Sequence, residues 1–354
     1  MEDFLNPISG ATHTKRQISK IFNIDEKIVG KFFKDNDANF LHTYKDVRAF
    51  GKSLKEEQDK KVMLFTFNKG GVGKTTHTFN FSQNLALRGK RVLVWDFDRQ
   101  ANATEYFMSK EGRLSVADYF KNEDGLKLKD LVVDIDDSLS VVPSGEKMAN
   151  LNLYLTERFH FSNGSFSENA DLSKLDQFIN EFKELSKDFD AVLIDSPPSF
   201  GLLHFLLFIV SDVVFNVTGV TSNDFEAIDD SVSLYVQAKE WNPKLDMKFL
   251  INCRDTVRNM DIHLEDVQEL RAKIKSYGFS AFENIIPTSD IFFYSTRDGI
   301  PFWLVDINNY DEKFRNEVVQ EITEILSTYS EVYSYTKKEL KTKQAKRAEL
   351  TGAF

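Results

Sequence analysis

From Lys61 to about Ser330, short runs of consecutive apolar residues alternate with longer stretches whose apolar positions recur every three or four residues. The short runs predict strands over Val62–Phe67, Arg91–Trp95, Leu139–Val142, Ala191–Ile194, Val213–Val217, Lys248–Ile251 and Ala281–Ile286. Uninterrupted apolar strands separated by helical patterns are the signature of βαβ units on a parallel sheet covered on both faces. The first helix of this region is predicted from about Thr75 to Leu87. It stops at Arg88-Gly89, a basic last turn followed by a glycine suited to the left-handed position after a helix. The run Phe200–Val210 is apolar all round and too short to span a bilayer, so it reads as a buried helix.

Residues 1–58 read instead as short helices joined by turns, and the charged linker Lys55-Glu56-Glu57-Gln58-Asp59-Lys60 follows them. Three regions are expected: a small all-α domain over 1–58, an α/β domain over 61–330 and a basic helix or tail over 331–354. In the first, Ile18, Ile21 and Phe22 make one apolar face, and Ile28, Val29, Phe32 and Phe33 make the next. Asn23-Ile24-Asp25 supplies a turn and an N-cap between them. The pattern fits a helix-turn-helix with Asp25–Lys34 as recognition helix and Lys27, Lys31 and Lys34 as candidate DNA contacts. It also fits a helical hairpin that only dimerises.

Composition narrows the classes. At 354 residues, 42% hydrophobic and 28% charged, the chain has the make-up of a soluble globular protein. A net charge of −10 excludes a uniformly basic nucleic-acid coat but leaves room for a local basic patch. Arg254, Arg258 and Arg271, with Lys273 and Lys275, form one candidate, and Lys341 and Lys346 in the tail form another; a solvated surface accounts for either. The single cysteine, Cys253, excludes an intrachain disulfide framework and a Cys-x-x-Cys metal site. The chain opens without the charged-then-apolar form of a signal peptide, and the tail lacks the apolar face of a membrane-surface helix. A cytoplasmic setting without a membrane partner is expected.

The chemistry lies directly after the first predicted strand, where Asn68-Lys69-Gly70-Gly71-Val72-Gly73-Lys74-Thr75-Thr76 opens the first helix. Glycines let backbone N–H groups turn inward around a polyphosphate, and the helix presents its positive dipole end to the same anion. Lys74 supplies a point charge for the terminal phosphates, and the Thr75 hydroxyl is the expected Mg²⁺ ligand. Asn68 stands where the general phosphate-loop pattern has its first glycine, and a second lysine, Lys69, precedes the Gly-Gly pair. Two further strands end in acids: Val92–Trp95 delivers Asp96-Phe97-Asp98, and Ala191–Ile194 delivers Asp195-Ser196-Pro197-Pro198. Side chains at the carboxyl ends of parallel strands enter the ligand crevice, where one acid can hold a Mg²⁺-bound water and another orient an attacking water. Taken singly, each acid also reads as a solvated strand end.

The loop over 69–76, Asp-Phe-Asp-Arg-Gln-Ala-Asn-Ala-Thr over 96–104 and the Ile194–Pro198 run together resemble the ParA/MinD family of deviant Walker-A ATPases. The 96–104 run resembles the ParA branch, with Arg99 in place of the usual proline and Ala101 in place of the common glycine. The likeness covers about residues 60–305. It implies a P-loop NTPase-like α/β fold that binds ATP through Lys69, Gly70, Gly71, Val72, Gly73, Lys74, Thr75 and Thr76. It also implies that Lys69 is the signature lysine crossing a dimer interface and that Lys74 and Asp98 serve catalysis. Thr75, Asp96 and Asp195 then surround Mg²⁺, and Asn252 and Pro287 lie near adenine. The function implied is ATP-dependent segregation of a plasmid or chromosome by a nucleoid-associated homodimer. That dimer binds DNA nonspecifically, and a ParB-like centromere-binding protein stimulates its hydrolysis. The larger plasmid ParA proteins also carry an N-terminal helix-turn-helix that represses their own operon, and Tyr44–Phe50 resembles the run that follows it. A MinD-like membrane-associated positioning ATPase is the alternative.

Overall fold

The apolar runs form one central sheet in the computed structural model, which describes residues 12–34, 41–121, 125–162, 165–167, 170–252, 260–287, 289–307 and 312–337. Its strands are β1 (Val62–Thr66), β2 (Val92–Asp96), β3 (Val133–Asp134), β4 (Leu139–Val142), β5 (Ala191–Asp195), β6 (Val213–Thr218) and β7 (Asp246–Ile251). Their order across the sheet is β7-β6-β1-β5-β2-β4-β3, parallel throughout except for the antiparallel edge pair β3–β4. Every residue of β1, β2, β4, β5 and β6 is buried, because helices cover both faces. Helix Leu202–Val210 is buried along its whole length, as its all-round apolar sequence requires. No helix among the described residues is long and apolar enough to cross a membrane.

The expected strand over Ala281–Ile286 does not form. Only its ends touch the edge of the sheet, through isolated parallel bridges Phe249–Ala281 and Asn252–Ile286. Between them the chain is bent: Glu331 accepts from the Glu283 and Asn284 N–H groups, while Arg271 donates to the carbonyls of Phe282 and Glu283. Side chains thus satisfy the backbone groups that a strand would have paired.

The N-terminal segment forms helices Lys15–Phe22 and Glu26–Phe33 around a left-handed Asn23, with Asp25 capping the second. Ile18, Ile21 and Phe22 are buried, as expected. On the second helix the outcome differs: Val29 is buried and Phe33 half-buried, but Ile28 and Phe32 are 51% and 41% exposed. At 100° per residue positions 28 and 32 share one stripe and 29 and 33 the next, and only the latter stripe turns inward.

These helices are built onto the α/β core. Arg88, at the end of helix Lys74–Leu87, donates to Asn84 Oδ1 at 2.8 Å and to the Ile21 carbonyl at 2.6 Å. Its guanidinium lies 4.1 Å from the Tyr333 ring centre and 5.1 Å from that of Phe22. Desolvation by burial lowers the pKa of this arginine, with Tyr333 and Glu56 opposing the shift. Helix Tyr44–Ser53 packs closely on the same turn. The charged linker is strapped down as well, by ion pairs Lys60–Asp246 and Glu56–Lys337 and a bridge from Gln58 to Lys337. The boundary expected at 330/331 falls inside one continuous helix, Glu312–Thr336.

A Cβ on Gly51 would stand 2.5–2.7 Å from the backbone of Arg88. Alanine normally stabilises a helix interior relative to glycine. At this contact, Gly51→Ala is instead expected to cost about 1–3 kcal/mol through overpacking, read as a lower urea midpoint. An unchanged midpoint would mean that the joint is loose.

Candidate active site

β1 lies inside the sheet between β6 and β5, so the loop that leaves it is flanked by the ends of those two strands. Gly71 and Gly73 adopt left-handed φ values of 73° and 101°. Gly73 has a second reason to lack a side chain, since a Cβ there would lie 2.6 Å from Asn252 Nδ2 and 3.1 Å from His77 Nε2. It occupies the N-cap of helix Lys74–Leu87 and makes no side-chain cap, which leaves the first-turn N–H groups available to an anion. Lys74 is buried and donates from Nζ to the Lys69 carbonyl at 2.7 Å. Desolvation lowers its pKa, opposed by the nearby Asp195 and Asp98 charges.

The register of the sheet brings the acids together. Asp96 is the direct cross-strand partner of Asp195 at the carboxyl ends of β2 and β5. Burial drives both carboxyls up, Asp96 to about 7 and Asp195 well above the usual carboxylate range. Their hydrogen bonding differs. Asp96 accepts from Asp98 N through Oδ1 at 2.9 Å, and from Thr104 N and Oγ1 through Oδ2 at 2.9 and 2.8 Å. In this arrangement both its oxygens are engaged in holding the turn that carries Asp98. Both Asp195 oxygens are buried without a well-formed hydrogen bond, and Thr75 lies beside them. An orphaned carboxylate next to a hydroxyl and a phosphate lysine fits a Mg²⁺ ion. The described residues contain no group of three His, Cys, Asp or Glu that could hold a metal, so an ion here would depend on phosphate oxygens and water, as Mg²⁺ commonly does. Asp98 is half-buried, accepts from Gln100 N at 3.0 Å, and has its carbonyl tied to Ser144 Oγ at 2.6 Å.

On the other side of the loop is a cavity of about 430 Å³ whose lining includes Gly73, Thr76, Asn252, Pro287 and Phe292. Asn252 donates to the Val72 carbonyl at 2.7 Å, so it braces the phosphate loop and faces the cavity at once. His77, which the sequence reading passed over, also lines it. Burial lowers its pKa to about 3, and Nδ1 is 3.0 Å from Tyr329 OH. Its spacing of one helical turn after Gly73 was the available signal.

The AAA domain family model matches residues 60–245, more than half of the 354-residue chain. The chain belongs to the ParA family of P-loop ATPases. It is 25% identical to the chromosome partitioning protein ParA of Myxococcus xanthus over 252 residues, 70% of this chain and 83% of that protein. It is 29% identical to the sporulation initiation inhibitor protein Soj of Bacillus subtilis over 155 residues, 44% of this chain and only 56% of Soj. The Cyanothece McdA(D38A)–ATP complex superposes with a TM-score of 0.57 at 16% identity, covering 75% of this chain and 97% of that one. At that identity the likeness is one of fold.

In this ParA-family chain, the P-loop, Asp96, Asp98, Asp195, Asn252 and Pro287 converge on one edge of the sheet. Among the described residues, the DNA candidates do not converge. Lys27, Lys31 and Lys34 are exposed on or just after the second N-terminal helix. Arg271 holds the 282–283 carbonyls, and Lys273 pairs with Asp229 at 2.8 Å. Arg254, Arg258, Lys341 and Lys346 lie outside the described residues, as does Cys253.

Because the folded chain holds the Asp96 and Asp195 protons more tightly than the unfolded chain, this pair makes stability fall as pH rises from about 4 toward 7. Asp195→Asn is expected to flatten that fall and raise the melting temperature of the nucleotide-free chain at pH 7.5. The gain is about 1.4 kcal/mol for each pKa unit relieved. The same variant loses most of the stabilisation given by Mg²⁺ with nucleotide. Calorimetry with and without Mg²⁺-nucleotide checks both, and a lowered melting temperature with full Mg²⁺ response would refute the assignment.

Proposed function

We propose that this chain is an ATP-dependent DNA-partition ATPase. ATP pairs two copies through Lys69, the paired form binds DNA without sequence preference, and hydrolysis returns it to single copies. A ParB-like centromere-binding protein is the partner that stimulates hydrolysis, and the paired form resides on the nucleoid. The observation that carries this reading is the second lysine, Lys69, ahead of Gly70-Gly71 in a phosphate loop that shares its sheet edge with Asp98 and Asp195. The naming of one relative as a chromosome partitioning protein supports it.

In the reaction, Lys74 and the loop N–H groups bind the phosphates, while Asn252 and Pro287 flank the base. Thr75 and Asp195 would hold Mg²⁺, which when bound neutralises charge on the phosphates. Asp98, fixed by Asp96 and Ser144, orients the attacking water. Lys74→Ala accordingly loses ATP binding, since it removes the main counter-charge. Asp98→Ala should retain ATP and Mg²⁺ yet release phosphate about 10²–10⁴-fold more slowly, accumulating paired, DNA-bound protein. Wild-type turnover in that variant refutes the role of Asp98.

The N-terminal helices supply a second DNA contact, to an operator upstream of the chain's own gene. Deleting residues 1–58 is a poor test, because Arg88 of the core would lose the Ile21 carbonyl and the Phe22 ring along with the deleted segment. Substituting Lys27, Lys31 and Lys34 together by alanine leaves the core intact. That variant should keep its ATPase, lose operator protection in footprinting, and lower the salt slope of operator binding by about 2–3. Uniform protection across the upstream region by the unaltered chain would sink the operator reading and favour helices that only dimerise.

A further inference from the structure

Lys69 does not stand free at the lip of its loop. Its ammonium is 2.8 Å from Asp224 Oδ1 and donates to Thr221 Oγ1 at 2.9 Å. The Asp224 side chain is 1% exposed, against 31% for Lys69, and this is its only ion pair among the described residues. Its other oxygen accepts from Thr221 N at 2.9 Å and Thr221 Oγ1 at 2.6 Å, the capping box that opens helix Ser222–Trp241. Gly219 closes over that carboxylate, where a Cβ would come within 2.6 Å of Oδ2. The preceding residue is tied to the same helix, Asn68 Nδ2 donating to Asp230 Oδ2 at 2.7 Å.

An ammonium held by a carboxylate and a hydroxyl of its own chain cannot at the same moment reach a second copy. We infer that Asp224 is a positioning residue that parks Lys69 within its own chain, so that ATP-linked pairing must exchange this ion pair for one between Lys69 and phosphates bound to the second copy. The inference rests on the reading of Lys69 given above. Lys74 ties the exchange to nucleotide, because its Nζ donates to the Lys69 carbonyl. When Lys74 engages phosphate instead, the backbone of the residue that must move is released. The parked form then taxes pairing in the absence of ATP, and removing the parking charge lifts that tax.

Asp224→Asn keeps the side-chain shape and an oxygen for the Thr221 cap but removes the charge. With a slowly hydrolysed ATP analogue and Mg²⁺, sedimentation of the full chain should give half-pairing at a protein concentration about tenfold lower than for the unaltered chain. Affinity of the single copy for a fluorescent ATP analogue should not change. Acetylation of Lys69 in the nucleotide-free chain, read by mass spectrometry, should accelerate. Thr221→Val, which leaves the carboxylate in place, should move pairing and acetylation the same way by less, and it decides the matter if Asp224→Asn folds poorly. Loss of a merely structural cap would weaken pairing rather than strengthen it. Pairing that is unchanged or weaker in both variants, with Lys69 acetylation unchanged, overturns the parking role. Lys69→Ala distinguishes the underlying reading: if it pairs with the analogue as well as the unaltered chain does, Lys69 makes no contact with a second copy at all.

Discussion

The arrangement depends on burying unlike charges together at the carboxyl edge of the sheet. Asp96 and Asp195 lie side by side in register, with Lys74 close enough to oppose the cost of desolvating Asp195. Neither carboxylate is comfortable there without a cation, and both pKa values rise in consequence. The sheet is closed on both faces by helices, so its strand ends are the place where polar chemistry can meet solvent and ligand. A site of this kind is poised for Mg²⁺ and polyphosphate because its own charges are incompletely balanced.

Two acids that look equivalent in sequence divide the labour by hydrogen bonding. Asp96 spends both oxygens on Asp98 and Thr104, which fixes the turn where the resemblance leads one to expect a proline and a glycine. Here Arg99 and the left-handed Ala101 occupy those positions, and the Asp96 and Ser144 bonds supply the rigidity. Asp195 is left with its oxygens open beside Thr75.

The N-terminal helices share the energetics of the ATPase core. Arg88 connects the far end of the phosphate-loop helix to the Ile21 carbonyl and to the Phe22 and Tyr333 rings. At the near end of the same helix, His77 bonds Tyr329. Helix Glu312–Thr336 therefore touches both ends of the phosphate-loop helix, and Lys20 reaches it too, through Thr323. Breaking the Arg88 or His77 contacts leaves a buried polar group short of a partner, which is why these parts hold together.

The sequence by itself determined the parallel α/β sheet, the phosphate loop, the acids at two strand ends and the two N-terminal helices around a turn. These rest on local rules: apolar runs where both faces are covered, glycines where φ is positive, and caps where helices start. Six of the seven expected strands formed, and Val62–Thr66 and Ala191–Asp195 lie within a residue of where the pattern put them. Tertiary structure decided what local rules cannot reach. The 281–286 run failed as a strand because Arg271 and Glu331, distant in sequence, took its backbone groups. Ile28 and Phe32 were left exposed because a helix can turn only one of two adjacent apolar stripes inward. Arg271 and Lys273 became structural because carbonyls and Asp229 folded against them. Lys69, a charge at a loop in the sequence, acquired a buried partner 155 residues away. Pairing between side chains far apart along the chain is set by strand order and register, and composition and periodicity carry no record of it.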